Sequence, residues 1–186
     1  MQLPIPKKLT QKRIAVMENQ GTMRSVFQTC LKKMGFTSVD CVMDGSEGLL
    51  FLQNNAVDLV ICDWDMPKTG GLEVLQVIRS CENTRNLPFI MVSSSSEQGR
   101  IKSAIDSGVS DFLIKPFQPV HLAQKVVHLL THSVHRPERL KNRQSEQAQA
   151  VSKKESVNNQ EQTDTDDLMI ETLTNKPKTA NRPKTG

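Results

Sequence analysis

No apolar run in this sequence approaches the roughly 20 residues that a membrane-spanning helix needs. The opening, Met1-Gln2-Leu3-Pro4-Ile5-Pro6-Lys7-Lys8, also lacks the hydrophobic stretch of a secretory signal. Cysteine is sparse: Cys30, Cys41, Cys62 and Cys81 form no C-x-x-C pair and have no histidine nearby at ligand spacing. That argues against both a zinc site and a disulfide framework, and leaves small apolar residues in a reducing compartment. A cytoplasmic location is expected. Net charge is scarce as well, since 24 Lys and Arg against 20 Asp and Glu leave +4. Such a balance does not by itself point to nucleic acid. The apolar share of 37% is low for a wholly globular chain of 186 residues, and the deficit lies in the last third. One domain of ordinary size with something left over is the expectation.

What is present centres on Asp58-Leu59-Val60-Ile61-Cys62-Asp63-Trp64-Asp65-Met66-Pro67. A short apolar run leads into a carboxylate, and turn residues follow from Pro67 through Gly70-Gly71. This pattern suits a strand buried on both faces, which puts Asp63 at its carboxyl end. Open parallel α/β sheets carry their chemistry in the crevice outside the strand ends. A carboxylate there serves as a nucleophile, a metal ligand or a plain turn and cap residue.

Taken in order, a polar lead-in over residues 1–11 precedes a strand at Arg13–Glu18. Thr22 is the expected cap of a helix whose apolar positions are Val26, Phe27, Cys30, Leu31 and Met34, with Gly35 as its stop. An alternating strand at Ser38–Val42 belongs near an edge, and a helix from Gly45 to Asn54 follows with Leu49, Leu50 and Leu52. After the strand that ends at Asp63, Leu72, Leu75, Val77 and Ile78 mark a third helix. A fourth strand spans Leu87–Ser93, a fourth helix Glu97–Ser107 with Gly108 as its stop, and a fifth strand Asp111–Ile114. Pro119 opens a last helix. Five strand–helix repeats with short connections predict a doubly wound (βα)5 parallel sheet, a flavodoxin-like three-layer sandwich of strand order 2-1-3-4-5. In that order Glu18-Asn19, Asp63, Ser93 and Lys115 all fall at one edge.

These residues, with Gly21-Thr22-Met23-Arg24, Asp44-Gly45, Gly70, Leu72-Glu73, Gly108 and Lys115-Pro116-Phe117, resemble the receiver domain of bacterial two-component response regulators, its single-domain chemotaxis members most closely. The resemblance covers residues 12 to 131. It implies that Asp63 accepts a phosphoryl group from a sensor histidine kinase or phosphotransfer protein. It further implies that Glu18, Asn19, Asp63 and the backbone carbonyl of Asp65 hold Mg²⁺. Ser93 and Lys115 would contact the phosphoryl oxygens, and the Lys115-Pro116 bond would be cis. Ser93 and Phe112 would be the switch residues, so an output protein would dock on the fourth helix, fifth strand and fifth helix. Arg100, Lys102, Ile105, Phe112, Gln118 and His121 lie there. The chain would be a phosphoacceptor acting on itself, not an enzyme with a separate substrate.

Two departures matter. The family usually ends its first strand with two acids, and here the pair is Glu18-Asn19. An amide offers a carbonyl oxygen without charge, so Mg²⁺ binding and phosphorylation should be weakened. At Phe112 the chemotaxis members carry tyrosine, and phenylalanine fills the pocket without a hydroxyl to bond.

Residues 132–186 are rich in Gln, Asn, Ser, Thr and Lys, which predicts a disordered tail. Its charges come in basic, acidic and again basic blocks, and Leu168–Leu173 is its one apolar island, suited to docking on a partner. The basic blocks lack aromatics, and no DNA-binding domain is recognised, so output is expected through a partner protein. Three functions follow: a phosphorylated switch, a receiver-like binding module whose site is weakened or inactive at Asn19, and a phosphatase of the haloacid dehalogenase type. The last also uses Asp-x-Asp after a strand, but Met66-Pro67 replaces its usual continuation.

Overall fold

Five short apolar runs pair side by side into one parallel sheet in the computed structural model, which describes residues 5–96 and 98–134. The strands are β1 (Arg13–Met17), β2 (Ser38–Val42), β3 (Leu59–Asp63), β4 (Phe89–Ser93) and β5 (Asp111–Ile114), in the order β2-β1-β3-β4-β5. The helices are α1 (Lys7–Thr10), α2 (Gly21–Lys33), α3 (Gly45–Asn54), α4 (Gly71–Ser80), α5 (Gln98–Asp106) and α6 (Pro119–His132). This is the flavodoxin-like architecture expected. Because α1 was not foreseen, the fourth and fifth helices of the sequence reading are α5 and α6.

Burial follows from the pleat. Successive strand residues point to opposite faces, so Val60 and Cys62 join Val74, Leu75 and Ile78 of α4 in one cluster. Leu59 and Ile61 join Phe27 and Leu31 of α2 and Leu122 and Val126 of α6 in the other. Every residue of β3 and β4 is buried, as a strand covered on both faces requires. At the edge, β2 buries only Val42.

Several local expectations need correction. Thr22 does not cap α2: Gly21 is already helical, so Thr22 sits inside the first turn, and the cap position falls to Gln20, whose side chain makes no capping bond. Val26, Leu50 and Val77 were expected to face the core but are 42%, 59% and 38% exposed. The inward stripes are set instead by Phe27 and Leu31, by Gly48 and Leu52, and by Val74, Leu75 and Ile78. The lead-in is not merely polar. Leu9 of α1 is buried, and Ile5 packs on the same cluster.

The stops behave as predicted, with Gly35 at φ +95° and Gly108 at φ +79°, conformations that disfavour a Cβ. The fourth helix was expected from Glu97, which lies outside the described residues; α5 is described from Gln98. The tail reading, with its charge blocks and the Leu168–Leu173 island, lies outside the described residues except for His132–Val134. No helix among the described residues is long and apolar enough to cross a membrane.

Candidate functional site

Strand register assembles the site. Met17 is level with Cys62, which brings Glu18 beside Asp63. Asp63 is level with Val92, and Ser93 with Ile114, so Ser93 and Lys115 each lie one step further along the same edge. Two backbone bonds fix these crossings: Trp64 N donates to Val92 O at 2.7 Å, and Lys115 N to Ser93 O at 2.8 Å. The Lys115-Pro116 bond is cis.

The centre is a buried triad. Lys115 Nζ donates to Glu18 Oε2 at 2.7 Å and lies 3.0 Å from Asp63 Oδ2. Glu18 is fully buried and Asp63 is 4% exposed. The other Glu18 oxygen, Oε1, accepts from Gln20 N at 3.0 Å. One ammonium between two carboxylates leaves a net negative charge in poor contact with water. Burial pushes the Asp63 carboxyl above its ordinary pKa; Lys115 works against that shift and Glu18 adds to it. Burial alone would lower Lys115, but its bonds to Glu18 and Asp63 outweigh the loss of water and hold the ammonium above its ordinary value.

The linkage has a definite sign. A carboxyl whose folded pKa is raised contributes stability that is complete below its unfolded value, about 3.9, and is lost as pH rises through the folded value. Asp63→Asn removes that loss and leaves Lys115 paired with Glu18. The variant should therefore be more stable than the parent at pH 7 and lose its advantage below about pH 4. Urea unfolding at the two pH values measures it; a variant less stable than the parent at pH 7 would contradict the sign.

Around the triad, Ser93 is fully buried and its Oγ accepts from Ser95 N at 3.1 Å, whereas Ser94 is exposed. That separation picks Ser93 out of the serine run. Asn19 is exposed, and its backbone carbonyl, like that of Glu18, accepts from Arg24 Nη1, at 2.8 and 2.9 Å. Asp65 is exposed, and its carboxylate is drawn to Arg100 rather than to the triad. Phe112 is half-buried against the cluster on the α4 face. The roles of Arg24 and Arg100 were not read from the sequence. Nothing in periodicity marks a guanidinium that will bond carbonyls five and six residues away or a carboxylate 35 residues away.

The donors around Asp63 are oxygen atoms, which suits a hard dication in kind. Their charge is thin, because among the described residues no three His, Cys, Asp or Glu side chains gather into a group able to hold a metal ion.

The loop after Asp63 and the helix that follows it pack without slack. Gly71 N donates to Trp64 O at 3.0 Å, and a Cβ on Gly71 would collide with the Asp63 carbonyl oxygen. Lys68, at φ +66°, places its ammonium 2.6 Å from Asp44 Oδ2, while Asp44 Oδ1 caps α3 through Glu47 N at 2.8 Å. Lys68 and that capping bond hold the Asp44 carboxyl below its ordinary pKa.

Comparison with known proteins gives the same fold. The chain is 30% identical over 114 residues to chemotaxis protein CheY of Pseudomonas aeruginosa, covering 61% of this chain and 92% of that one. Against CheY-3 of Vibrio cholerae the figures are 30%, 61% and 88%. Among solved structures it resembles the receiver domain of a Pseudomonas aeruginosa sensor histidine kinase, which holds a magnesium ion in its active-site cleft. The TM-score is 0.61 at 24% identity, over 65% of this chain and 98% of that one. A receiver domain of a signal transduction histidine kinase from Syntrophus aciditrophicus matches with TM-score 0.63 and 26% identity, over 71% and 98%. The family model for the response regulator receiver domain matches residues 14–127, from the first core residue of β1 into α6. A match over most of the chain, laid across the very strands that converge on Asp63, makes this protein a member of the response regulator receiver domain family.

Proposed function

We propose that the chain is a phosphorelay switch. Asp63 accepts a phosphoryl group from a sensor histidine kinase or phosphotransfer protein, and the phosphorylated state changes affinity for a partner protein. The observation that carries this reading is Lys115 Nζ seated between Glu18 and Asp63 at the carboxyl edge of the sheet. An Asp63 oxygen attacks phosphorus, the bond from phosphorus to the donor nitrogen or oxygen breaks, and the donor leaves with that electron pair. Such a transfer needs an in-line nucleophile and neutralisation of the equatorial oxygens. Lys115 supplies a positive charge beside the nucleophile, and the Ser93 hydroxyl one hydrogen bond. Glu18, Asp63, the Asn19 amide oxygen and the Asp65 carbonyl are the groups that would hold Mg²⁺, which adds positive charge when bound.

The state would be read on α5, β5 and α6. That face exposes Ile105, Ile114 and Val120 at 63%, 42% and 43%, beside exposed Lys102, Gln118 and His121. A coupling typical of such switches would change partner affinity roughly 5- to 150-fold.

The test is intact mass after incubation with acetyl phosphate and Mg²⁺. The parent should gain one phosphoryl group and Asp63→Asn none. An unchanged parent mass would favour a second reading, a receiver-like binding module with an inactive site. One observation speaks for that module: the acid edge has Asn19 where a second carboxylate usually stands. The phosphatase alternative falls with the family assignment.

Asn19→Asp separates a weakened site from an intact one. The added carboxylate should tighten Mg²⁺ by roughly tenfold, since one more charge within about 4 Å of a dication in water contributes about 1–2 kcal/mol. Trp64 fluorescence under Mg²⁺ titration reports it. Equal affinities would mean that Glu18 and Asp63 suffice.

A further inference from the structure

The helix α5 is held to the domain by very little. Of its nine residues only Ala104 is buried, whereas α4 buries Gly71, Val74, Leu75 and Ile78. A helix with one buried residue relies more on whatever else ties it down. Arg100 is one such tie. Its Nη1 donates to both carboxylate oxygens of Asp65, at 2.9 and 2.8 Å, and its guanidinium carbon lies 5.5 Å from the centre of the Trp64 ring. Trp64 and Asp65 are the two residues directly after the acceptor, and Trp64 N is itself fixed to β4 through Val92 O. One side chain therefore spans from a lightly anchored helix to the loop that carries the acceptor.

We propose that Arg100 is a positioning residue that couples the charge on the loop after Asp63 to the docking of α5. The guanidinium is held by the Asp65 carboxylate and by the face of the indole, and α5 is clasped to the loop. Any change in negative charge on that loop alters the hold. Resting on the phosphoryl-acceptor reading, the consequence is direct: a phosphoryl group on Asp63 places new anionic oxygens close to Asp65, and they compete for the same guanidinium. Helix α5 then responds through Arg100, alongside any movement of Ser93 and Phe112.

The test is amide hydrogen exchange of residues 98–106 in the full chain, for the parent, Arg100→Gln, Asp65→Asn, the double variant and Arg100→Lys, with no phosphoryl donor present. Arg100→Gln should speed exchange of α5 about fivefold, the sum expected of an exposed ion pair and a cation–π contact, and Asp65→Asn, which leaves the contact with Trp64, about threefold. The double variant should be no faster than Arg100→Gln alone, because the guanidinium that Asp65 holds is already gone. Arg100→Lys should recover part of the protection, and Arg100→Gln should shift the Trp64 emission. A merely bulky surface residue would produce none of this non-additivity. Exchange within twofold of the parent in both single variants, or effects that add in the double variant, would overturn the proposal.

Repeating the measurement with beryllofluoride and Mg²⁺ separates the two readings. A parent whose β3 and Trp64 signals do not respond sinks the phosphoryl-acceptor reading, while the first arm still decides the clasp. A parent whose α5 responds to the mimic just as strongly after Arg100→Gln sinks the coupling.

Discussion

Substituting Lys115 with methionine should lower the free energy of unfolding at pH 7 by about 3–5 kcal/mol, the usual result of removing one partner from a buried ion pair. Methionine keeps most of the stem volume, so the loss is electrostatic rather than a cavity. Glu18 is fully buried and Asp63 nearly so, and without the ammonium two carboxylates share one desolvated edge. Lys115 is what holds the raised pKa of Asp63 down, so without it the deficit should shrink as pH falls toward about 4 and Asp63 takes up a proton. Mg²⁺ should also restore stability, by about 2.7 kcal/mol at a hundredfold excess over its dissociation constant. Urea unfolding across pH and Mg²⁺ measures all three effects. A variant as stable as the parent without metal would show that water reaches the pair and that the triad is not desolvated. On the proposed mechanism, uptake from acetyl phosphate should fall by about 100-fold or more, as when one donor to a developing anion is removed.

The second large effect is expected at Gly71. A methyl group there would run into the Asp63 carbonyl oxygen and lie 3.0 Å from both the Asp63 carbonyl carbon and Met91 Sδ. The obstacle is strand backbone in the centre of the sheet, which has no room to give. Gly71→Ala should cost about 1–3 kcal/mol or more from overpacking. It should also displace Asp63, and on the proposed mechanism a shift near 1 Å is enough to slow a positioned reaction by about 100-fold. Gly99→Ala is the control: nothing lies within 4 Å of its Cβ, and it sits inside α5, so it should stabilise by about 0.5–1 kcal/mol. Unfolding and phosphoryl uptake measured on both variants distinguish a local clash from a general intolerance of alanine. If Gly71→Ala folds and reacts like the parent, α4 must be free to move off β3.

The site was legible where the fold does the assembling. Lys115 and Glu18 are 97 residues apart, yet a parallel sheet with right-handed crossovers brings their strand ends together, so the apolar runs that end at Glu18, Asp63, Ser93 and Lys115 already implied the edge. Side chains chosen by three-dimensional packing were not legible. Leu50 is as apolar as Leu52, and only the position of the sheet decides that one is 59% exposed and the other 1%. Leu9 carries no legible signal because a helix of four residues, two of them lysines, has no period, although Pro6 just ahead of α1 is a start signal. Arg100 was read as part of a free docking surface. Its tie to Asp65 depends on how α5 lies over the loop, which no local pattern encodes.

The burial of β3 has a chemical corollary at Cys62, the residue before Asp63. Its thiol is fully covered, and burial, ahead of the charges of Asp63 and Glu18, pushes its pKa well above the ordinary value. Only a thiolate reacts appreciably with alkylating reagents or oxidants. Cys62 is therefore silent while the sheet is closed and becomes labelled only when β3 opens, at a rate set by the opening equilibrium. Cys30 and Cys41, half-buried on α2 and β2, should label earlier. An adduct on Cys62 would not fit back between the sheet and α4, so each labelling event traps one opening of β3 for good.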